Sequence, residues 1–297
     1  MKILVPVDGS GDAYNTLRGA CTLALRMGYS VVAFHVDRSE LYTPEFSKWH
    51  TVKRRIETEH YMLAREVVRM SYDIGSELGV GMEVVMSGGE PASEILAYAG
   101  ENGVVKLIAM SNGALTGTTE RLIDGVIKTV ILQQNKPVLV SSNPMTINSI
   151  LVVIEDVDDT GGSYGAMVKH AGMLARALRA RVGIMSLVPD LLAIAVDYGH
   201  ISEVPYMKAR KSFRRFENIY RQRTRAIVSE ATQLIAAIDA TIPVTAKETD
   251  EAGEVIAEAH NYGLIVIRPK QKAADNTLTD ISKTLLNSRS LSTLFVP

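Results

Sequence analysis

KILVPVDGSG, residues 2–11, decides the fold of this chain. Residues 2–7 are an apolar run of strand length, closed by Asp8-Gly9-Ser10-Gly11, and residues 13–27 then turn helical. A strand that is apolar throughout, instead of alternating, is buried on both faces, as in a parallel sheet covered by helices. The pattern continues outward in the same order. SVVAFHV (30–36) reads as the second strand, and 49–78 carries Val52, Ile56, Met62, Leu63, Val67, Met70 and Ile74 at helical spacing. MEVVM (82–86), a helix over 92–100, KLIAM (106–110), a helix over 119–133 and PVLV (137–140) complete five strands.

The chain then repeats itself. SILVVIED (149–156) matches KILVPVDG, RVGIMSLV (181–188) matches the second strand, and GEVIAEAHNYGLIVI (253–267) answers SEILAYAGENGVVKLIAM (93–110). LSTLFVP (291–297) answers KPVLVSS (136–142). The expected organisation is α/β, with two tandem five-stranded parallel-sheet domains at 1–142 and 149–297 joined by a short linker over 143–148. PVLV and TLFV (293–296) are short apolar edge strands, expected to pair so that the halves form a pseudo-dimer within one chain.

Composition removes several classes of function. Lys and Arg number 32 against 33 Asp and Glu, so no global field points to nucleic acid or to an anionic membrane. The single cysteine, Cys21, excludes an internal disulfide and a cysteine-based metal cluster, and its apolar helix face marks a buried structural thiol. MKILVPVD reaches Asp8 before a secretory apolar region could form, and no run approaches the roughly 18 apolar residues of a spanning helix. A cytoplasmic location is expected.

The ILVPVDGS opening (3–10), the long second helix, the GGEPASEIL segment (88–96) and the loop–helix–PVLV ending resemble the universal stress protein family. The resemblance covers essentially the whole chain as two tandem domains. It implies a Rossmann-like fold of the adenine nucleotide alpha hydrolase type in each domain. It further implies ATP or another adenine nucleotide as ligand, at the carboxyl ends of the strands, although some members have lost that site.

Physical reasoning puts a ligand at the same edge, where strand order reverses in an open α/β sheet. Asp8 ends the first strand, Val36 ends the second, and SNGALTGTTERLIDGV (111–126) follows Met110 at the end of the fourth. The resemblance assigns Pro6, Val7 and Asp8 to the base and ribose pocket, and Gly88 falls at a strand end nearby. Asp8 has a second reading, as the cap of its own turn. The family's phosphate pattern is G-x2-G-x9-G-[ST]. Here Gly113, Gly117 and Gly125 are followed by Val126, and counting back from Gly125 finds Asn112 and Leu115 where two glycines belong. The missing hydroxyl at 126 removes a charge-assisted hydrogen bond, a loss of about ten- to a hundredfold in affinity. Thr116, Thr118 and Thr119 are candidate substitutes. The competing reading is a loop whose glycines serve turn geometry alone.

The second half has no such loop. Its first strand ends Ile154-Glu155-Asp156, Val153 stands for Pro6, and RPKQKAADNTLTDISK (268–283) contains no glycine. Without glycine the backbone approaches a phosphate poorly, so at most one nucleotide per chain is expected. Ser87-Gly88-Gly89 follows the third strand and therefore does not fit a pyrophosphatase loop. The histidines at 35, 50, 60, 170, 200 and 260 show no paired metal spacing, and no GxSxG elbow or Walker lysine occurs, so no enzyme is expected. KARKSFRRFENIYRQRTR (208–225) reads as a basic helix with a solvated face, against the sharper reading of an RNA, acidic-partner or membrane contact. PDLLAIAVDYG (189–199) reads as a lid or subunit contact, against packing on a neighbouring helix. Two functions stand: a stress-response regulator binding an adenine nucleotide in its N-terminal half, or an interaction protein with both pockets vestigial. A regulatory protein partner and a homo-oligomer accompany either.

Overall fold

A computed structural model describes residues 1–39, 49–112, 120–141, 147–155, 163–188, 206–269, 271–272, 277–288 and 290–297. Contacts divide the chain into two compact units, Met1–Thr146 with Gln271–Pro297, and Ile147–Lys270.

In the first unit β1 (Lys2–Pro6), β2 (Ser30–Asp37), β3 (Met82–Gly88), β4 (Val105–Met110) and β5 (Val138–Val140) form a parallel sheet in the order β3-β2-β1-β4-β5. Strand order reverses at β1, which pairs with β2 on one side and β4 on the other. Ile3, Leu4 and Val5 are completely buried, as an uninterrupted apolar strand requires. The helices α1 (Gly11–Met27), α2 (His50–Leu78), α3 (Pro91–Glu101) and α4 (Glu120–Gln133) connect these strands.

Local chemistry fixes the helix ends. The Ser10 hydroxyl accepts the Ala13 amide at 3.2 Å to start α1, and Gly28 ends it in the left-handed region at φ 66°. Glu90 accepts the Ser93 amide at 2.8 Å and Pro91 opens α3, which explains the GGEP sequence as strand exit, turn, cap and first helical residue. These caps start α1 and α3 slightly earlier than apolar spacing alone indicates. Leu17, Ala20, Cys21 and Ala24 form the buried face of α1. Burial pushes the Cys21 thiol up to about 11, which keeps it an unreactive core group.

The second unit comprises β6 (Ser149–Ile154), α5 (Ser163–Leu178), β7 (Arg181–Leu187), α6 (Tyr206–Ile238), β8 (Val244–Thr249), α7 (Ala252–Ala259) and β9 (Leu264–Ile267). Its strands run parallel in the order β9-β6-β7-β8, the same order as β4-β1-β2-β3. A side-chain contact repeats as well. The Ser87 hydroxyl at the end of β3 donates to Glu94 in the first turn of α3, and Thr249 at the end of β8 donates to Glu254 in α7.

The C-terminal stretch carries β10 (Gln271–Lys272) and β11 (Thr277–Leu278), an antiparallel pair, then α8 (Asp280–Asn287) and β12 (Thr293–Phe295). Sequence matching puts this stretch with the second repeat, whereas its contacts put it in the first unit. The expected pairing of the terminal strands is present: β12 lies antiparallel on β5, with Thr293 opposite Val140, Leu294 opposite Leu139 and Phe295 opposite Val138. Burial of all three β12 residues explains why this strand is not left at a bare edge.

No helix among the described residues is long and apolar enough to cross a membrane. The apolar stretch 189–199 lies outside the described residues. In the basic helix, Arg221 pairs with Asp250 at 2.8 Å and Arg225 with Glu248 at 3.0 Å, so part of its charge is matched within the second unit.

Candidate functional site

At the end of β1 the chain turns sharply. Gly9 has φ +89°, and a Cβ there would lie 2.5 Å from Cδ1 of Leu63 on α2. Glycine therefore permits both the turn and the close approach of α2. The Ser10 amide donates to Oδ1 of Asp8 at 2.9 Å, so Asp8 does cap its own turn. Its Oδ2 makes no hydrogen bond among the described residues, and the side chain is exposed at the sheet edge.

The end of β2 is tied to β1 and to α2. The Val7 amide donates to the Phe34 carbonyl at 2.8 Å. Nδ1 of His35, which is almost fully buried, lies 2.7 Å from the Val7 carbonyl oxygen. A carbonyl only accepts, so Nδ1 carries the proton. Two residues on, Oδ1 of Asp37 lies 2.8 Å from Nδ1 of His60 on α2. The Ser39 amide and hydroxyl donate to the same carboxylate at 2.8 and 3.0 Å. Burial pushes the Asp37 carboxyl up, but these bonds and His60 outweigh it and hold the group below its ordinary value.

Between these ends, Met110 of β4, the first turn of α3 and the second turn of α4 lies a pocket of about 220 Å³. Pro6, Val7, Asp8, Val36, Met110 and Val126 all line it, which brings six of the sequence candidates together. The other candidates behave differently. Gly88 sits at the end of β3, with the Asp37 carbonyl 4.0 Å from where its Cβ would be, and is not part of the lining. The Asn112 side-chain amide donates to the Leu286 carbonyl near the end of α8. Gly125 is exposed within α4, with open space around it. Gly113 and Gly117 lie outside the described residues, as do Leu115, Thr116, Thr118 and Thr119.

Sequence reasoning missed Arg38, His60, Leu63, Pro91, Ile95 and Ser111, which also line the pocket. His60 and Leu63 are three residues apart on α2 and share a face, a signal present in the sequence. What the sequence lacked was the fact that this face crosses the turn at Gly9. Arg38 follows Asp37 directly and has no distinguishing pattern of its own.

A parallel sheet with a pocket at the carboxyl ends, where strand order reverses, is the arrangement in which open α/β domains hold ligands. Residues 1–142, the first repeat, match the model of the universal stress protein family. The chain is 29% identical to Universal stress protein YxiE of Bacillus subtilis (strain 168) over 149 residues, which cover 47% of this chain and 97% of that protein. A universal stress protein from Archaeoglobus fulgidus DSM 4304 superposes with TM-score 0.68 at 15% identity, covering 99% of this chain and 95% of its own. The cytoplasmic domain of a prokaryotic cation chloride cotransporter superposes with TM-score 0.50 at 14% identity, covering 99% and 94%. Such likenesses concern the fold, and function has to be argued from the pocket.

Proposed function

We propose that the first unit binds ATP or another adenine nucleotide in the pocket at the end of β1, β2 and β4. The chain then acts as a nucleotide-responsive regulator of a stress response, without turnover. The convergence of Pro6, Val7, Asp8, Val36, Met110 and Val126 on one pocket carries this reading. The apolar surfaces of Pro6, Val7, Val36 and Met110 suit the faces of a purine, Oδ2 of Asp8 suits the ribose hydroxyls, and Val126 stands where the family's phosphate pattern carries a hydroxyl. The two repeats, 1–142 and 149–297, share a strand order, yet Val153 and Glu155 replace the proline and aspartate, so binding is confined to the first. A cytoplasmic location, a regulatory protein partner and self-association fit such a regulator.

The rival reading, an interaction protein with a vestigial pocket, has its own support. Asn112 is committed to the Leu286 carbonyl, and Gly125 faces solvent. Denaturing the purified protein and identifying any released small molecule by mass separates the two. An adenine nucleotide at a substantial fraction of the protein concentration supports binding. A folded protein that releases none and takes up none from millimolar ATP leaves the interaction protein standing.

A further inference from the structure

The polar groups at the β2 end of the pocket are unevenly satisfied. Asp37 accepts from the Ser39 amide, the Ser39 hydroxyl and His60. Glu90 accepts the Ser93 amide, and although burial pushes its carboxyl up, amides of Ser93 and Ala92 and the nearby Arg38 charge hold it down. Asp8 accepts the Ser10 amide. Each carboxylate therefore has a donor. Arg38 is the reverse case: half-buried in the pocket wall, with Nε shielded from solvent and no hydrogen-bond acceptor among the described residues. A shielded guanidinium N–H without an acceptor is costly; the Glu90 charge is near but makes no hydrogen bond to Nε of Arg38, so an acceptor oxygen in the pocket would satisfy it.

We propose that Arg38 is the cation that holds the phosphate chain of the bound nucleotide. The proposal rests on the nucleotide reading above and deepens it. The guanidinium presents parallel N–H groups that match phosphate oxygens bidentately. Arg38 and Val126 line the same pocket, so a phosphate chain lies within reach of both walls. The charged contact comes from the end of β2 and offsets the hydroxyl that Val126 lacks. His60, fixed through Nδ1 on Asp37, borders the same end of the pocket and adds no competing negative charge. The ligand class is thus a phosphorylated adenosine, in preference to the nucleoside.

The test compares adenosine, AMP and ATP by calorimetry at constant ionic strength on the full chain, with Arg38→Met and Arg38→Lys, all verified as folded by thermal melts. Wild type should bind ATP more tightly than adenosine. Arg38→Met should weaken ATP by about ten- to a hundredfold, the scale of one charge-assisted contact, and change adenosine by less than about twofold. Arg38→Lys should fall between, since it restores charge without the fork. If Arg38→Met leaves the ATP-to-adenosine ratio of wild type unchanged, the assignment of Arg38 is overturned while the nucleotide reading survives. Folded wild type that binds none of the three overturns both.

Discussion

His60 on α2 and Asp37 at the end of β2 are joined by a 2.8 Å contact between Nδ1 and Oδ1, which fastens the long helix over the mouth of the pocket. The carboxylate is the better held partner, because Ser39 donates to it twice. Its titration therefore reports on this junction. A carboxyl held below its ordinary value in the fold contributes stability above the unfolded value, near 3.9, and loses it as pH falls through the folded value. Asp37→Asn should cost roughly 0.5–1 kcal/mol at pH 7, since the pair is about one-third exposed and screened. The cost should shrink progressively as pH falls below the unfolded value and through the lower folded one. Urea melts of both proteins at pH 7 and pH 3 measure it; a cost independent of pH contradicts the assignment.

Gly9 is constrained twice, by φ +89° and by Leu63 at 2.5 Å from the absent Cβ. Gly9→Ala should destabilise by about 1–3 kcal/mol, the usual scale of overpacking and local strain. Gly11→Ala, with nothing within 4 Å, is the matched control and should be neutral. Adding Leu63→Ala to Gly9→Ala should recover the steric part and leave the strain of the left-handed backbone. A double-mutant cycle in urea reads that coupling, and additive effects would contradict the close approach.

Val126 lines the pocket and Gly125 does not, although they are adjacent. Val126→Ser should then tighten ATP by about ten- to a hundredfold, the scale of one recovered charge-assisted hydrogen bond. Gly125→Ala should leave ATP affinity within about twofold and stabilise α4 by about 0.5–1 kcal/mol. Calorimetry and thermal melts on the two variants test both statements. Loss of ATP binding in Gly125→Ala would return that glycine to the phosphate site.

The β5–β12 pair protects a sheet edge. Phe295 is 1% exposed, so Phe295→Ala should cost about 3–5 kcal/mol. Truncation after Ser290 should bare the Val138–Val140 edge and cause concentration-dependent association. Sedimentation of the truncated chain tests this, and a stable monodisperse product would show that β12 is dispensable.

The inner strands of both repeats were legible because double burial writes them as continuous apolar runs, from KILVPV to GLIVI, whereas β8, VTAKET, was not, because it is largely exposed and carries no such run. The terminal-strand pairing was legible because short apolar edges need cover. Less visible was the membership of 271–297 in the first unit, since periodicity describes an element and not its partner strand. At the pocket, residues at the strand ends such as Pro6, Val36 and Met110 were found, whereas His60, Leu63 and Arg38 were not. The role of His60 and Leu63 depends on α2 crossing the Gly9 turn, a long-range contact that local sequence does not encode, and Arg38 carries no pattern of its own. Asn112 shows the same limit: its spacing fits a degraded phosphate pattern, while its amide reaches Leu286, 174 residues away.

Calorimetric titration of the folded full chain with ATP decides whether the first repeat binds a nucleotide, because it reads affinity and stoichiometry together. Saturable binding at one nucleotide per chain is expected, abolished or sharply weakened by Asp8→Ala without loss of fold. Two equivalent sites would contradict the confinement of binding to the first repeat. No detectable heat or saturation at millimolar ATP, in protein freed of any bound ligand, would contradict nucleotide binding altogether.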